Sequence, residues 1–436
     1  MSRTKIGWKT ATALVVSNMI GTGVFTSLGY QVTGLHNTFS ILLLWSAGGL
    51  LALIGAFVYV ELAACFRQSG GDYIYLSRTY HPVMGYLTSW VSLFIGFSAP
   101  ISLAALAMSK YLQAFGWQLG KGFAISVILA VAVFQSVNLS VSSRFQNLFT
   151  LVKILFVLGL IAVGIWMAPV PEHTALLFDS SWTGEMLAPA FAISLVYVTF
   201  AYTGWNSASY IVEEIDRPHR NLPIALFLGV GFVTAAYILL QYVFLKHAGI
   251  SELTGQEDIA NISFRNILGT TNVRWVSFFI ALQLVATISG YLWIGSRLTQ
   301  ATAKEHYCWS SLKKTNEGAI PVRAIWAHAV VSILIIFSGS FETIFTYASF
   351  VLQLLATAAV STAFFIPGSR RMFIKSNLFY LLPALFLAAS LYICYYVLME
   401  RTRESLIGLF IIVAGILMYW LDEKMKRKAA LRDHRK

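Results

Sequence analysis

Long apolar runs separated by short polar clusters set the pattern of this chain. A bilayer core of roughly 30 Å takes about 20 apolar residues in a helix. By that measure the sequence predicts twelve membrane spans, at 8–34, 40–66, 83–113, 121–139, 147–168, 187–212, 223–246, 273–297, 322–340, 344–366, 377–398 and 405–421. Only Glu400, Arg401, Arg403 and Glu404 mark the turn between the last two, which reads as a helical hairpin. The stretches 247–272 and 298–321 have room for a short surface helix each but not for a core of their own. The first apolar run is followed by many more, so it reads as a span and not as a cleavable signal.

Composition agrees. Apolar residues make up 57% of the chain and charged residues 11%, whereas a soluble domain carries about a quarter charged residues. A mean hydropathy of +0.70 excludes an ordinary soluble enzyme, and 31 Phe, 20 Tyr and 12 Trp exclude a disordered chain. The net charge of +12 raises nucleic acid as a partner, but Lys and Arg fall in short runs between spans and in the tail Lys424–Lys436. That placement points to cytoplasmic loops and to no nucleic-acid partner. With the N-terminus inside, the inner segments hold 23 Lys and Arg and the outer segments seven, while Lys153 lies within a span. The loop 169–186 holds none and carries Glu172, Asp179 and Glu185. The expected topology is an all-α polytopic membrane protein with both termini cytoplasmic. Cys65, Cys308 and Cys394 follow no metal or disulfide spacing, and no cofactor is expected.

Two spans are interrupted. The first contains Ile20-Gly21-Thr22-Gly23-Val24-Phe25 near its middle, and the sixth contains Phe200-Ala201-Tyr202-Thr203-Gly204-Trp205-Asn206. An unsatisfied peptide group in hydrocarbon costs several kcal/mol, so broken backbone at mid-depth needs a reason. Spans one and six are corresponding members of two five-helix halves, and paired interruptions of this kind mark a substrate site at the midplane of an inverted repeat. Amides around Gly21, Thr22 and Gly23, at the positive end of a second half-helix, suit a carboxylate. Carbonyls near Ser17–Ile20 and Phe200–Tyr202 suit an ammonium group. One group of each sign a few Å apart describes an α-amino acid zwitterion. The competing reading is that Gly21 and Gly23 only let helices pack closely.

These residues resemble a known family. Asn18-Met19-Ile20-Gly21-Thr22-Gly23-Val24-Phe25 is similar to a signature of the amino acid–polyamine–organocation superfamily. So are Phe200–Asn206 with Glu213-Glu214 and Pro218-x-x-Asn221-Leu222-Pro223, and Glu61-Leu62 with Ser69-Gly70-Gly71-Asp72-Tyr73. Phe149-Thr150-Leu151-Val152-Lys153, Ser296-Arg297-Leu298 and Pro321-Val322-Arg323-Ala324 add to it, and the resemblance covers roughly 8–370. It is nearest to the L-type amino acid transporter branch and its bacterial relatives. It implies a LeuT-like fold: a 5+5 inverted repeat, here 8–168 and 187–366, then two C-terminal helices, 377–421, and a basic tail, 422–436, all within one membrane transport domain, 1–436. The implied activity is amino acid transport by alternating access. The resemblance makes Phe200 a gate over the substrate, with Ser17, Ile20, Gly21, Thr22, Gly23, Ala201, Tyr202 and Thr203 as substrate-binding positions.

Lys153 lies about six residues inside the fifth span, and an intramembrane lysine is a functional candidate by default. The resemblance puts it where sodium-coupled members of the fold bind a cation, tying the first span to the eighth. It implies sodium-independent transport with Lys153 as the coupling residue, by exchange or with protons. The alternative is a lysine whose stem snorkels to the headgroups.

Other polar residues carry smaller expectations. Glu61 reads as a structural partner of Arg67 or Arg78 more readily than as a substrate contact. Glu213, Glu214 and Asp216 beside Arg217 and Arg220 read equally as a cytoplasmic gate or a solvated loop. His328 reads as a packing or interfacial residue. Asn261-Ile262-Ser263 matches a glycosylation tripeptide. No Asp or Glu stands at mid-depth in spans one, three, six, eight or ten, which favours neutral, apolar amino acids over a cationic amino acid or polyamine. A non-transporting amino-acid sensor is a further alternative. In animal L-type members a cysteine between spans three and four bonds a heavy chain. This chain has none there, so no disulfide-linked heavy chain is expected, and the natural setting is a bacterial inner membrane, multi-pass in the lipid bilayer.

Overall fold

A computed structural model of the chain describes residues 5–137, 139–169, 176, 178–316, 320–371 and 376–433. The N-terminal Arg3, Glu172 of the acidic loop, Lys375, and Arg435 and Lys436 of the tail lie outside the described residues. The described chain is helical, and its only extended pairing is an isolated bridge between Ile6 and Ile215.

In chain order the helices are α1 (Trp8–Met19), α2 (Gly23–Thr26), α3 (Leu28–Gln31), α4 (Thr38–Phe66), α5 (Asp72–Thr79), α6 (Pro82–Val91), α7 (Ser98–Leu112), α8 (Lys121–Val137) and α9 (Leu139–Trp166). They continue as α10 (Trp182–Leu187), α11 (Pro189–Ala201), α12 (Pro218–His247), α13 (Ile250–Leu253), α14 (Ile259–Glu305), α15 (Val322–Ser338), α16 (Phe341–Ser361), α17 (Leu381–Glu400) and α18 (Thr402–Asp433). Among the described residues seven helical stretches are long and apolar enough to cross a membrane, one of them joining α6 and α7 through the π turn: Thr38–Phe66, Pro82–Phe115, Pro218–His247, Ile259–Glu305, Phe341–Phe365, Asn377–Glu400 and Thr402–Lys428. Shorter apolar helices at Lys121–Val137, Thr150–Trp166, Pro189–Ala201 and Val322–Ser338 stand where further segments were expected.

Local chemistry sets the ends. Asn37 caps α4 by accepting from the Phe39 amide, and the helix stops at Arg67 in a left-handed conformation, φ 51°. Proline opens α6, α11 and α12 within the first turn, where a missing N–H costs nothing. Inside α14, Gly269 at φ 76° makes a sharp bend, so the stretch 247–272 contains α13 and a short first limb of α14. Between α6 and α7 the backbone takes a π turn over Ser92–Phe97, widening the helix without ending it. The last helix runs on through the basic tail to Asp433, and Asp422 within it is buried, accepting from the Cys308 amide at 2.6 Å and lying 2.8 Å from His306 Nδ1.

Many large apolar side chains are exposed, among them Phe410 at 73%, Leu417 at 61% and Leu391 at 60%. Such side chains are a liability in water and ordinary on a surface that faces lipid. At the centre α12 packs on α1 and α4, which brings the two interrupted segments together.

Candidate functional site

The first interruption is real. α1 closes with the Ile20 amide bonded to Val16 O at 3.0 Å, and the next ladder opens with the Phe25 amide on Thr22 O at 3.0 Å. The amides of Gly21 and Thr22 therefore belong to neither helix. The chain continues through two helical turns, α2 and α3, with Ser27 between them also in right-handed helical conformation, φ −70° and ψ −24°.

The second interruption follows α11. Beyond Ala201 the chain turns through Tyr202–Asn206, with Gly204 at φ 96°, into a 3-10 segment, Ser207–Glu214. The two interruptions touch: a Cβ on Gly23 would sit 2.6 Å from Ala201 Cα. Gly23 therefore allows the close approach that the packing reading describes. That reading does not extend to Gly21, where the nearest atom to a Cβ is Met19 O at 3.9 Å.

Phe200 is buried at the end of α11, with its ring edge on Phe345 at 4.7 Å. Above it the rings of Tyr197 and Phe345 stack at 5.1 Å, and those of Tyr30 and Phe341 at 6.1 Å. Tyr202 turns elsewhere: its hydroxyl donates to Trp45 O at 3.0 Å and its ring lies against Gly48 of α4. Thr203 folds back, its hydroxyl donating to Phe200 O at 2.7 Å. Phe200, Tyr202 and Thr203 share a cavity of about 40 Å³ with Gly48, Trp205 and Gln353, which none of the residues from Ser17 to Gly23 lines. That space holds a water or so and not an amino acid.

Lys153 is 2% exposed, which rules out the snorkelling reading. Its ammonium donates to Ile20 O at 2.7 Å, to Thr287 Oγ1 at 3.2 Å and to Ser17 O at 3.4 Å. It therefore joins α1, at its break, to α14. Thr150 adds a bond to Ser17 Oγ at 2.9 Å. Carbonyls that the sequence offers to a substrate ammonium thus already carry a protein one. Phe200 O likewise accepts from Thr203, and Met19 O and Ala201 O face Tyr237.

Tyr237 of α12 is a residue the sequence reading missed. Its hydroxyl lies 2.7 Å from Met19 O and 3.1 Å from Ala201 O, one donor shared between the two interruptions. One turn on, Gln241 donates to Val24 O at 3.2 Å, and Tyr111 of α7 donates to Phe25 O at 2.8 Å. These side chains replace the helical bonds that the broken backbone gives up. Tyr237→Phe is expected to cost about 1–2 kcal/mol of stability, since it strands two buried carbonyls. A thermal melt of the purified variant checks this, and an unchanged midpoint would remove the bridge.

The remaining polar residues are placed as follows. Glu61 is fully buried in α4. His328 is fully buried within hydrogen-bonding distance of Ser98 Oγ, 3.2 Å, and Thr299 Oγ1, 3.0 Å, which makes it a packing residue and not an interfacial one. Asn261 is buried in α14, its amide donating to Asp258 Oδ2 at 2.9 Å, so the tripeptide is not presented for glycosylation. Arg217 and Asp216 are exposed and 4.0 Å apart.

A bundle of apolar helices with two facing interruptions, bridged by Tyr237 and with a buried lysine tying the first of them to α14, defines a polytopic membrane protein built around broken helices. The amino acid permease family model matches residues 6–421, and the chain belongs to that family, a group of amino acid transporters with transmembrane helices within the amino acid–polyamine–organocation superfamily. Among its relatives is the human b(0,+)-type amino acid transporter 1, 27% identical over 431 residues, which cover 96% of this chain and 87% of the relative. The human cystine/glutamate transporter is 26% identical over 424 residues, 94% of this chain and 83% of the relative. The human large neutral amino acids transporter small subunit 2 is 25% identical over 439 residues, 97% of this chain and 81% of the relative.

Proposed function

We propose that the protein is a sodium-independent secondary transporter of neutral, apolar amino acids that works by alternating access. The observation that carries this reading is the Lys153 ammonium held by Ile20 O and Thr287 Oγ1 between α1 and α14. A fixed cation there does the structural work that a bound sodium ion would otherwise do. Gly21 supports the substrate assignment, because its amide is outside both helical ladders, where it meets the Tyr237 hydroxyl, and the nearest atom to a Cβ there is Met19 O at 3.9 Å. In this reading the substrate carboxylate meets the segment Gly21–Gly23, and the ammonium shares carbonyls of Ser17–Ile20 and Phe200–Tyr202. Phe200 closes the outer side with the aromatic rings stacked above it. The chain crosses the membrane twelve times as a LeuT-like inverted repeat with both termini inside, supported by the excess of Lys and Arg in the inner segments. It acts without a disulfide-linked heavy chain, in a bacterial inner membrane. The segment 113–120 has no cysteine, and Cys65, Cys308 and Cys394 are free thiols in α4, after α14 and in α17.

The test is uptake of labelled leucine and alanine into sodium-free proteoliposomes, with and without unlabelled amino acid inside. Uptake only with internal amino acid identifies an exchanger, and uptake into empty vesicles identifies proton-coupled or facilitated entry. No uptake under either condition overturns the substrate class. Phe200→Ala is expected to lower the melting midpoint, as truncation of a buried ring does, and to lower uptake by the remaining folded protein about tenfold, because it also removes the gate. Unaltered uptake in that variant would leave Phe200 as ordinary packing.

A further inference from the structure

The motif Ser69-Gly70-Gly71-Asp72-Tyr73 lies outside the site described above, yet it grips the second interruption. Asp72, the first residue of α5, is 5% exposed. Its carboxylate accepts hydrogen bonds from Tyr59 of α4 and from Tyr210 at 2.8 Å, and Tyr210 belongs to the 3-10 segment that follows the break in α11. Two more bonds join the same pieces: Gly70 N donates to Tyr210 O at 3.2 Å, and Glu213 N donates to Ser69 Oγ at 3.0 Å. Tyr59 also sets its ring edge-on against Trp205 within the break, at 4.7 Å.

The other side of α5 is fastened to different helices. Tyr73 donates to Glu305 at the end of α14, and Tyr80 lies 2.8 Å from Ser361 Oγ at the end of α16. Gly85 brings α6 so close that a Cβ there would sit 2.7 Å from Ser77 Cβ. α5 is therefore fixed to α6, α14 and α16 on one side and holds α4 and the segment after α11 through Asp72 on the other.

We propose that Asp72 is a positioning residue for transport: a latch, made with Tyr210 and Tyr59, that holds the segment after the second break against α5 and must release for the cytoplasmic side to open. The physical reason is the cost of stranding a buried anion. Burial alone pushes the Asp72 carboxyl above its usual range, and the two tyrosine hydroxyls draw it back toward the charged form. Moving Tyr210 away removes a donor from a buried carboxylate, so the latched arrangement is favoured as long as the carboxylate and both hydroxyls are present. The inference rests on the transport reading, because a latch between these groups of helices matters only if they move apart.

The test uses the full chain in detergent with Cys65, Cys308 and Cys394 replaced by serine and a single reporter, Ser207→Cys, in the latched segment. The rate of labelling by a membrane-impermeant maleimide is compared for Asp72, Asp72→Asn and Tyr210→Phe. Losing one charge-assisted hydrogen bond from one of two states is expected to raise labelling about tenfold in both variants. In proteoliposomes both variants should lower the maximal rate of leucine uptake with the concentration for half-maximal uptake within about twofold, as expected when state populations and not substrate contacts change. Unchanged labelling overturns the latch, and so does a loss confined to substrate affinity. Should Asp72→Asn fail to fold, Tyr210→Phe, which removes one hydroxyl, carries the test alone. Labelling needs no substrate, so a wild-type protein that takes up neither amino acid would overturn the substrate class while the maleimide rates still decide the latch.

Discussion

Replacing Gly21 and Gly23 in turn is expected to have opposite consequences. A methyl group on Gly23 would lie 2.6 Å from Ala201 Cα and 2.7 Å from Ala201 Cβ. Neither can yield as a flexible side chain would, since the first is backbone at the second interruption. Overpacking of this kind costs about 1–3 kcal/mol in an ordinary core. Here it also pushes apart two segments whose carbonyls share the Tyr237 hydroxyl. Gly23→Ala should therefore give little folded protein, read as loss of the monodisperse peak on gel filtration. Gly21 has nothing nearer to a Cβ than Met19 O at 3.9 Å, so Gly21→Ala should fold as the wild type does. Gly21→Val should also be produced in good yield but fall at least about tenfold in uptake, since a branched side chain shields the amides that a carboxylate would need. Wild-type uptake by Gly21→Val would remove the carboxylate from this segment. Normal yield of Gly23→Ala would mean that the two interruptions do not bear on each other.

Those two glycines show how far the sequence can be read. Both stand out because glycine at mid-depth in a span is costly, but their spacing does not say which one faces a neighbouring helix. Lys153 is legible for the same reason: a charge in an apolar run has nowhere to hide. Its partners are not, because carbonyls belong to every residue. Tyr237 escapes notice because tyrosine is grouped with the apolar residues, although its hydroxyl is what α12 contributes to the site. Phe200, Tyr202 and Thr203 line one cavity, but their polar groups are engaged within the protein, Tyr202 on Trp45 O and Thr203 on Phe200 O, and sequence spacing beyond the end of α11 does not show such partners. The π turn at Ser92–Phe97 left no mark in the apolar pattern, since it adds backbone without changing composition. Asp72 was legible as part of a motif and not as a contact, because its partners are 13 and 138 residues away in the chain.

Lys153→Met is expected to abolish uptake, and the argument turns on which groups it strands. The methionine side chain fills a similar volume but has no donor. Ile20 O and Ser17 O, buried at the end of α1, then lose the ammonium they share with Thr287. Each buried acceptor left unpaired costs about 1–3 kcal/mol, and the cost falls at the joint between α1 and α14, where moving helices must keep their registry. One unit of 1.4 kcal/mol is already about tenfold in a rate or a population, so uptake should fall at least that far. Lys153→Arg should not restore it, because a planar guanidinium cannot converge on the same three acceptors as a compact ammonium. Thr287→Val removes one neutral acceptor and leaves both carbonyl bonds, so its loss should be smaller, which gives a graded series even if the methionine variant folds poorly. Wild-type uptake should be the same in sodium and potassium buffers, since the site between these helices already holds a cation. A strict sodium requirement in the wild type, or wild-type uptake by Lys153→Met, would take the coupling role away from this lysine and leave it a structural tie between α9, α1 and α14.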